Sequence, residues 1–169
     1  MDFSLEKLNR EDLMQFKKDM QEAFQKGFEE VFGKTDDTVL PERDIDRSLN
    51  ETGAVAYRAV VDGKMVGGAV VVIDPATQHN ELHLLYVKHG IQAKGIGFCI
   101  WSQIEKLYPQ TKVWETCTPY FDKRNIHFYV NKCGFHITEY QCRYNHRLDV
   151  EDDFIGDGDE GMFVFKKQM

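Results

Sequence analysis

The spacing of apolar residues along this chain switches several times between the strand period of two and the helix period of three to four, which describes a mixed α/β domain. Ala54 to Val61 and Met65 to Ile73, rich in Val and Ala, flank Asp62-Gly63, whose glycine accepts the positive φ of a tight turn, so a β-hairpin is predicted there. Phe3, Leu5 and Leu8 alternate as a short first strand. Arg10 to Phe32 carries Leu13, Phe16, Met20, Phe24, Phe28 and Val31 on one helical stripe, and Pro41 opens a shorter helix through Ile45 and Leu49 to near Gly53. Leu82 to Val87 reads as a strand with Glu81, His83 and Leu85 on one face and Leu82, Leu84 and Tyr86 on the other; the pattern does not say which face is buried.

From Gly95 the period is helical again, with Ile96, Ile100, Ile104 and Leu107 in line, and it stops before Pro109. Val113 to Thr118 is a strand. Ile126, Tyr129, Val130 and Cys133 mark another helix, which Gly134 closes as a left-handed cap with Phe135 folded back onto it. Phe135 to Leu148 and Gly161 to Phe165 are the last strands, joined by a loop from Asp149 to Glu160 that holds seven acids and no base. The predicted order is βααβββαβαββ, a single domain over residues 1–169, in keeping with roughly 150 residues per domain.

Charge and hydropathy narrow the function. Twenty-one Lys and Arg against 28 Asp and Glu leave a net charge of −7, which opposes attraction to nucleic acid or anionic lipid. The longest apolar stretch, Ala69 to Ile73 with Met65 and Val66 beside it, falls far short of the ~20 residues of a membrane span, and neither a span nor a signal peptide is expected. Cys99, Cys117, Cys133 and Cys142 contain no CxxC and sit in apolar patterns, as reduced thiols of a cytoplasmic protein do. The six histidines form no HExxH, Cys133 and His136 alone are too few ligands, and no metal site is expected.

The segment Gln92-Ala93-Lys94-Gly95-Ile96-Gly97 lies between a strand and a helix. Glycines there let backbone N–H groups approach an anion without a Cβ in the way, and the helix N-terminus adds positive potential, so a pyrophosphate fits. On these six residues alone, a turn that uses glycine for backbone reasons is an equal reading. A dinucleotide fingerprint would need a third glycine where Ile100 stands, and a P-loop needs Gly-Lys followed by Ser or Thr, which this sequence lacks.

A second block, Asn125-Ile126-His127-Phe128-Tyr129-Val130-Asn131-Lys132-Cys133-Gly134-Phe135, follows in order. With both blocks in place the chain resembles the GNAT acetyltransferase superfamily, most closely from Leu82 to Phe135 and in element order over nearly its whole length. The resemblance implies an α/β fold whose mixed, mostly antiparallel sheet has a V-shaped splay and helices on both faces. It also implies acetyl-CoA as co-substrate and a small-molecule or peptide amine as acceptor, and it admits a homodimer. Residue by residue, Leu85, Tyr86 and Val87 would pair with the pantetheine arm, with the Leu85 N–H at the thioester carbonyl. Gln92, Ala93, Lys94, Gly95, Ile96, Gly97 and Phe98 would hold the pyrophosphate. Asn125 would bond the pantetheine beside Phe128, and Tyr129 would protonate the leaving thiolate.

Lys88, Lys94, Lys123, Arg124 and Lys132 fall in or beside these segments and place positive charge where a polyanionic co-substrate needs it. An aliphatic ammonium must lose a proton before it attacks, and Glu81, His83 and Glu115, on the two strands expected to splay, are the candidate bases; no motif chooses among them. The acids of Asp149 to Glu160 and Glu22, Glu29 and Glu30 point to a cationic acceptor. The alternative function is a non-catalytic CoA-binding sensor or interaction module on the same fold.

Overall fold

Two apolar faces of one sheet set the layering. The computed structural model describes residues 2–91, 94–142 and 161–169. The elements run β1 (Phe3–Lys7), α1 (Leu13–Phe32), α2 (Glu42–Asn50), β2 (Ala54–Val61), β3 (Lys64–Val72), β4 (His79–Val87), α3 (Ile96–Leu107), β5 (Val113–Pro119), α4 (Lys123–His127), β6 (His136–Gln141) and β7 (Met162–Gln168). A π-helical turn, Phe128–Lys132, prolongs α4. The strands form one sheet in the order β1-β2-β3-β4-β5-β7-β6, antiparallel throughout except for β4 and β5.

Phe16, Met20, Leu40, Ile45, Val70 and Tyr86 bury α1 and α2 against one face, while Ile96, Ile100, Trp101, Ile104, Trp114, Phe135 and Phe165 bury α3 and the α4 region against the other. Each such side chain contributes roughly 1.5–3 kcal/mol on leaving water. The close seat of α1 depends on Gly68, where a Cβ would stand 2.4 Å from the Phe16 ring. The predicted stripe of α1 is buried at Phe16 and Met20 and continues against the core at Phe24; at the end of the helix Val31 is 55% and Phe32 50% exposed.

Element ends differ from the periodicity for local reasons. The first helix starts at Leu13 and not at Arg10, because Asn9 Oδ1 accepts the Asp12 N–H at 2.9 Å and closes a separate turn. β4 starts at His79 and not at Leu82, its polar Asn80 being 1% exposed. β7 runs past Phe165 to Gln168, paired to β5 by backbone where the side chains carry no apolar signal. The strand predicted over Phe135 to Leu148 is seen as His136–Gln141, and its far end and the loop Asp149 to Glu160 lie outside the described residues.

The splay has a tied end and an open end. β4 and β5 run parallel for three pairs only, His79 with Val113, Asn80 with Trp114 and Glu81 with Glu115. Asn80 closes the tied end, donating to Thr111 Oγ1 at 2.7 Å and accepting the Asp74 N–H at 2.9 Å. The Thr116 hydroxyl reaches Leu82 O at 2.9 Å, and beyond it the ladder stops.

Candidate active site

The opening between β4 and β5 joins the two sides of the sheet in one cleft of ≈ 1570 Å³. A bulge in β4 shapes its floor. Val71 pairs with Leu82 and Val70 with Leu84, so His83 is an extra residue opposite no partner. The expected single face of Leu82, Leu84 and Tyr86 is corrected by this insertion: Leu82 joins the α3 side, and Leu84 and Tyr86 the α1 side. Glu81 and His83 share the α1 side, where Glu81 Oε2 and His83 Nε2 are 2.6 Å apart. Glu115 and Cys117 lie there too, because Trp114, between β4 and the helices, faces the other way.

The same register fixes the backbone of β4. Lys88 donates its N–H to Val66 O at 2.8 Å, so alternation sends the groups of Tyr86 toward β3 and those of Leu85 and Val87 toward the opening. Leu85 is thus placed with its N–H facing the space beyond the last β4–β5 pair. Tyr86 lies differently from its neighbours: its ring is buried under α1, edge-on to Phe16 with centroids 5.4 Å apart.

On the α3 side, Gly95 takes φ +76°, a conformation glycine alone adopts without strain, and its surroundings are open. The first intrahelical bond runs from Cys99 N–H to Gly95 O, so the N–H groups of Ile96, Gly97 and Phe98 precede it and no side chain caps them. That N-terminus, with Lys123, Arg124 and Lys132 on the cleft wall, suits a diphosphate. Lys94 is exposed just before Gly95, and Lys88 is half-buried. Gln92 and Ala93 lie outside the described residues.

α4 starts at Asp122, whose carboxylate accepts the Asn125 N–H at 3.0 Å and whose burial raises its pKa above the usual range. Asn125 lines the cleft, its amide donating to Thr118 Oγ1 at 3.5 Å. The π-helical turn then sets Phe128 beside Gly97, with ring carbons 3.4 Å from where a Cβ would stand there. Tyr129 is 5% exposed, packed on Phe135 and Phe165 at 5.6 and 5.7 Å between centroids, and it also borders the cleft. Burial pushes its phenol well above the usual range, the Thr116 hydroxyl acting weakly the other way. Gly134, at φ +82°, ends this helix as predicted, and Phe135 donates its N–H to Tyr129 O at 2.9 Å.

Two strand hydroxyls and one aromatic wall escape the sequence reading. Thr116 and Thr118 alternate with Glu115 and Cys117 along β5, a period-two signal that locates them on the α4 side. Phe121, after β5, meets the end of α1, its ring centroid 5.8 Å from Phe28 and 4.8 Å from Phe32; nothing local in the sequence announces that contact.

A strand edge left open beside an uncapped helix N-terminus is an arrangement that comparison with known proteins places. Residues 17–135 match the Acetyltransferase (GNAT) family. The chain belongs to the GNAT acetyltransferase family. A relative in Bacillus subtilis (strain 168), the uncharacterised protein YrkN, is 47% identical over 171 residues, covering 98% of this chain and 92% of that one. The PaiA N-acetyltransferase of Thermoplasma acidophilum, solved with coenzyme A, aligns over 100% of both chains with a TM-score of 0.66 at 18% identity. The ribosomal-protein-S18-alanine N-acetyltransferase of Escherichia coli aligns over 99% of this chain and 94% of its own with a TM-score of 0.67 at 12% identity. These structural likenesses are of fold, and they match the mixed, mostly antiparallel sheet expected of a GNAT chain. Among the described residues no group of His, Cys, Asp or Glu is arranged to hold a metal, and no helix is long and apolar enough to cross a membrane.

Proposed function

We propose that this protein transfers the acetyl group of acetyl-CoA to a primary amine of a small molecule or peptide, by direct attack in a ternary complex. The observation that carries the reading is the backbone of β4 at Leu85, which faces the opening within the cleft that Gly95, Gly97 and Tyr129 also border. Bound acetyl-CoA supplies an acyl group activated as a thioester. The chain's own residues do the rest. The N–H groups at the start of α3 and the cations Lys123, Arg124 and Lys132 hold the phosphates, and Asn125 and Phe128 border the arm. The Leu85 N–H donates to the oxygen on which charge develops.

Tyr129, kept as a neutral phenol by its burial, gives its proton to the leaving sulfur. His83, held by Glu81 at 2.6 Å, takes the proton of the attacking amine, and Glu115, the ladder partner of Glu81 on β5, attracts the ammonium beforehand. Cys133 is buried with its thiol pushed up to about 12, far from a reactive thiolate, which leaves Cys117, exposed on the cleft side of β5, as the thiol to test against direct attack. No disulfide joins the cysteines among the described residues.

The test is CoA thiol release from acetyl-CoA over a panel of polyamines, amino sugars, amino acids and peptides, with CoA binding measured in parallel. Amine-dependent release is the expected result. Tight CoA binding with no release by any amine would leave the sensor module as the function.

A further inference from the structure

We propose that the hydrogen bond from Thr116 to Leu82 limits the acyl group transferred in this cleft to two carbons, so that Thr116 sets donor specificity; this rests on the acetyl-transfer reading and names the donor class of that site. The bond stands where the two strands part. Among the described residues the β4–β5 ladder ends at Glu81 with Glu115, and the Thr116 hydroxyl carries the connection one residue further by donating to Leu82 O at 2.9 Å. Both residues are buried, and both line the cleft.

An acyl group held by the Leu85 N–H runs toward this bond. The phosphates, at the start of α3, lie past the Val87 end of β4, so the acyl end of the co-substrate points the other way, toward Leu82. Only His83 and Leu84 separate Leu85 from Leu82, about 7 Å of strand at ~3.3 Å per residue. Roughly 3 Å of that is the hydrogen bond to the thioester oxygen. A carbon in van der Waals contact takes about 3.5–4 Å more. A methyl therefore fits, and a further methylene meets Thr116.

The sides are set as well. Tyr129 and Thr118 stand on the α4 side, with the Thr116 hydroxyl close enough to act on the Tyr129 phenol and Asn125 donating to Thr118 at 3.5 Å. The amine comes from the side of Glu81 and His83. Behind the bond, Asn80 ties β4 to Thr111 at 2.7 Å and to Asp74 at 2.9 Å, which keeps the apex from retreating. A longer chain would have to take from the buried Leu82 carbonyl the hydroxyl that serves it, a loss larger than the gain from burying one methylene.

Calorimetry with acetyl-CoA, propionyl-CoA and butyryl-CoA reads the limit without any amine, and butyryl-CoA should bind at least about tenfold more weakly than acetyl-CoA. In thiol release with the most active amine of the panel, kcat/KM should fall about tenfold or more from acetyl to propionyl. Thr116→Ala should shrink both ratios at least about fivefold, whereas Thr116→Ser, which keeps the hydroxyl, should hold the wild-type ratios. Butyryl-CoA matching acetyl-CoA in either assay with the wild-type protein overturns the limit and leaves acetyl transfer standing; that arm depends on no variant folding. Ratios unmoved in a folded Thr116→Ala protein, or relaxed equally by Ser and Ala, overturn it too, because the hydroxyl would then serve the sheet alone. Thioesters bound without thiol release by any amine remove the acetyltransferase reading and the proposal together.

Discussion

Glu81 and His83 hold a 2.6 Å contact two residues apart on β4, on the same side of the strand and at the one place where that strand carries an unpartnered insertion. The bulge offers the imidazole to the cleft while the carboxylate fixes one of its nitrogens. Such an arrangement suits a base that must keep one nitrogen for its carboxylate and present the other to an amine.

His83→Gln is expected to lower kcat about 10²-fold at neutral pH, and the deficit should shrink toward pH 10, where an amine of pKa about 10 arrives already deprotonated. Paired pH–rate profiles check this. A deficit that stays constant with pH would make His83 a shape element of the cleft and not its base.

Tyr129→Phe keeps the ring on Phe135 and Phe165 and removes only the transferable proton. Its kcat should fall at least about tenfold with CoA affinity preserved. Wild-type activity in the Phe variant would hand proton donation to water.

The same residue predicts an alkaline signature. Burial raises the folded-state pKa of Tyr129 above the unfolded value of about 10, so between these values the unfolded chain has released a proton that the folded chain keeps. Its contribution is fully present below about pH 10 and is lost as pH rises from there toward the folded value. Tyr86, raised likewise by burial, adds to the trend. Denaturant titrations should show stability falling above pH 10, less steeply in Tyr129→Phe than in wild type.

Gly97→Glu should fold and lose CoA. A Cβ at Gly97 meets Phe128 ring carbons at 3.4 Å and Val87 Cγ2 at 3.7 Å, ordinary contacts, while the carboxylate enters the space before α3 and repels phosphate. Calorimetry should find no CoA binding by a protein with near-native melting temperature. Unchanged affinity would move the phosphate site elsewhere.

Gly68→Ala tests the seat of α1. The added methyl would stand 2.4 Å from Phe16 and 2.5 Å from the Tyr57 carbonyl oxygen, and overpacking of this kind costs about 1–3 kcal/mol. The melting temperature should drop, and Phe16→Leu in the same chain should recover part of the loss. An additive double variant would show that the strain falls on the β2 backbone.

Local features of this molecule are legible in its sequence, and the features that are not share a cause. The hairpin at Asp62-Gly63 and the Gly134-Phe135 cap are each fixed by a glycine and its neighbours, and both stand where the pattern puts them. Strict alternation along β4 groups Leu82 with Leu84 and Tyr86, because the bulge that parts them is decided by pairing with β3, a separate strand. The π-helical turn at Phe128 and the meeting of Phe121 with Phe28 are tertiary in the same sense. Asn80, polar and buried at the tied end of the splay, falls outside the predicted strand because its partners, Asp74 and Thr111, lie on other segments.

At Leu85 the feature turned toward the opening is main chain, and every amino acid but proline carries the same N–H there. Mutation at that position can alter the leucine without erasing the donor. The apolar wall, built from side chains of α1 and the β5–α4 connection, has no such protection, and each substitution there changes its surface. Substitution therefore treats the two halves of the cleft unequally: the donor at Leu85 survives nearly any exchange, whereas the wall opposite is rewritten by each one.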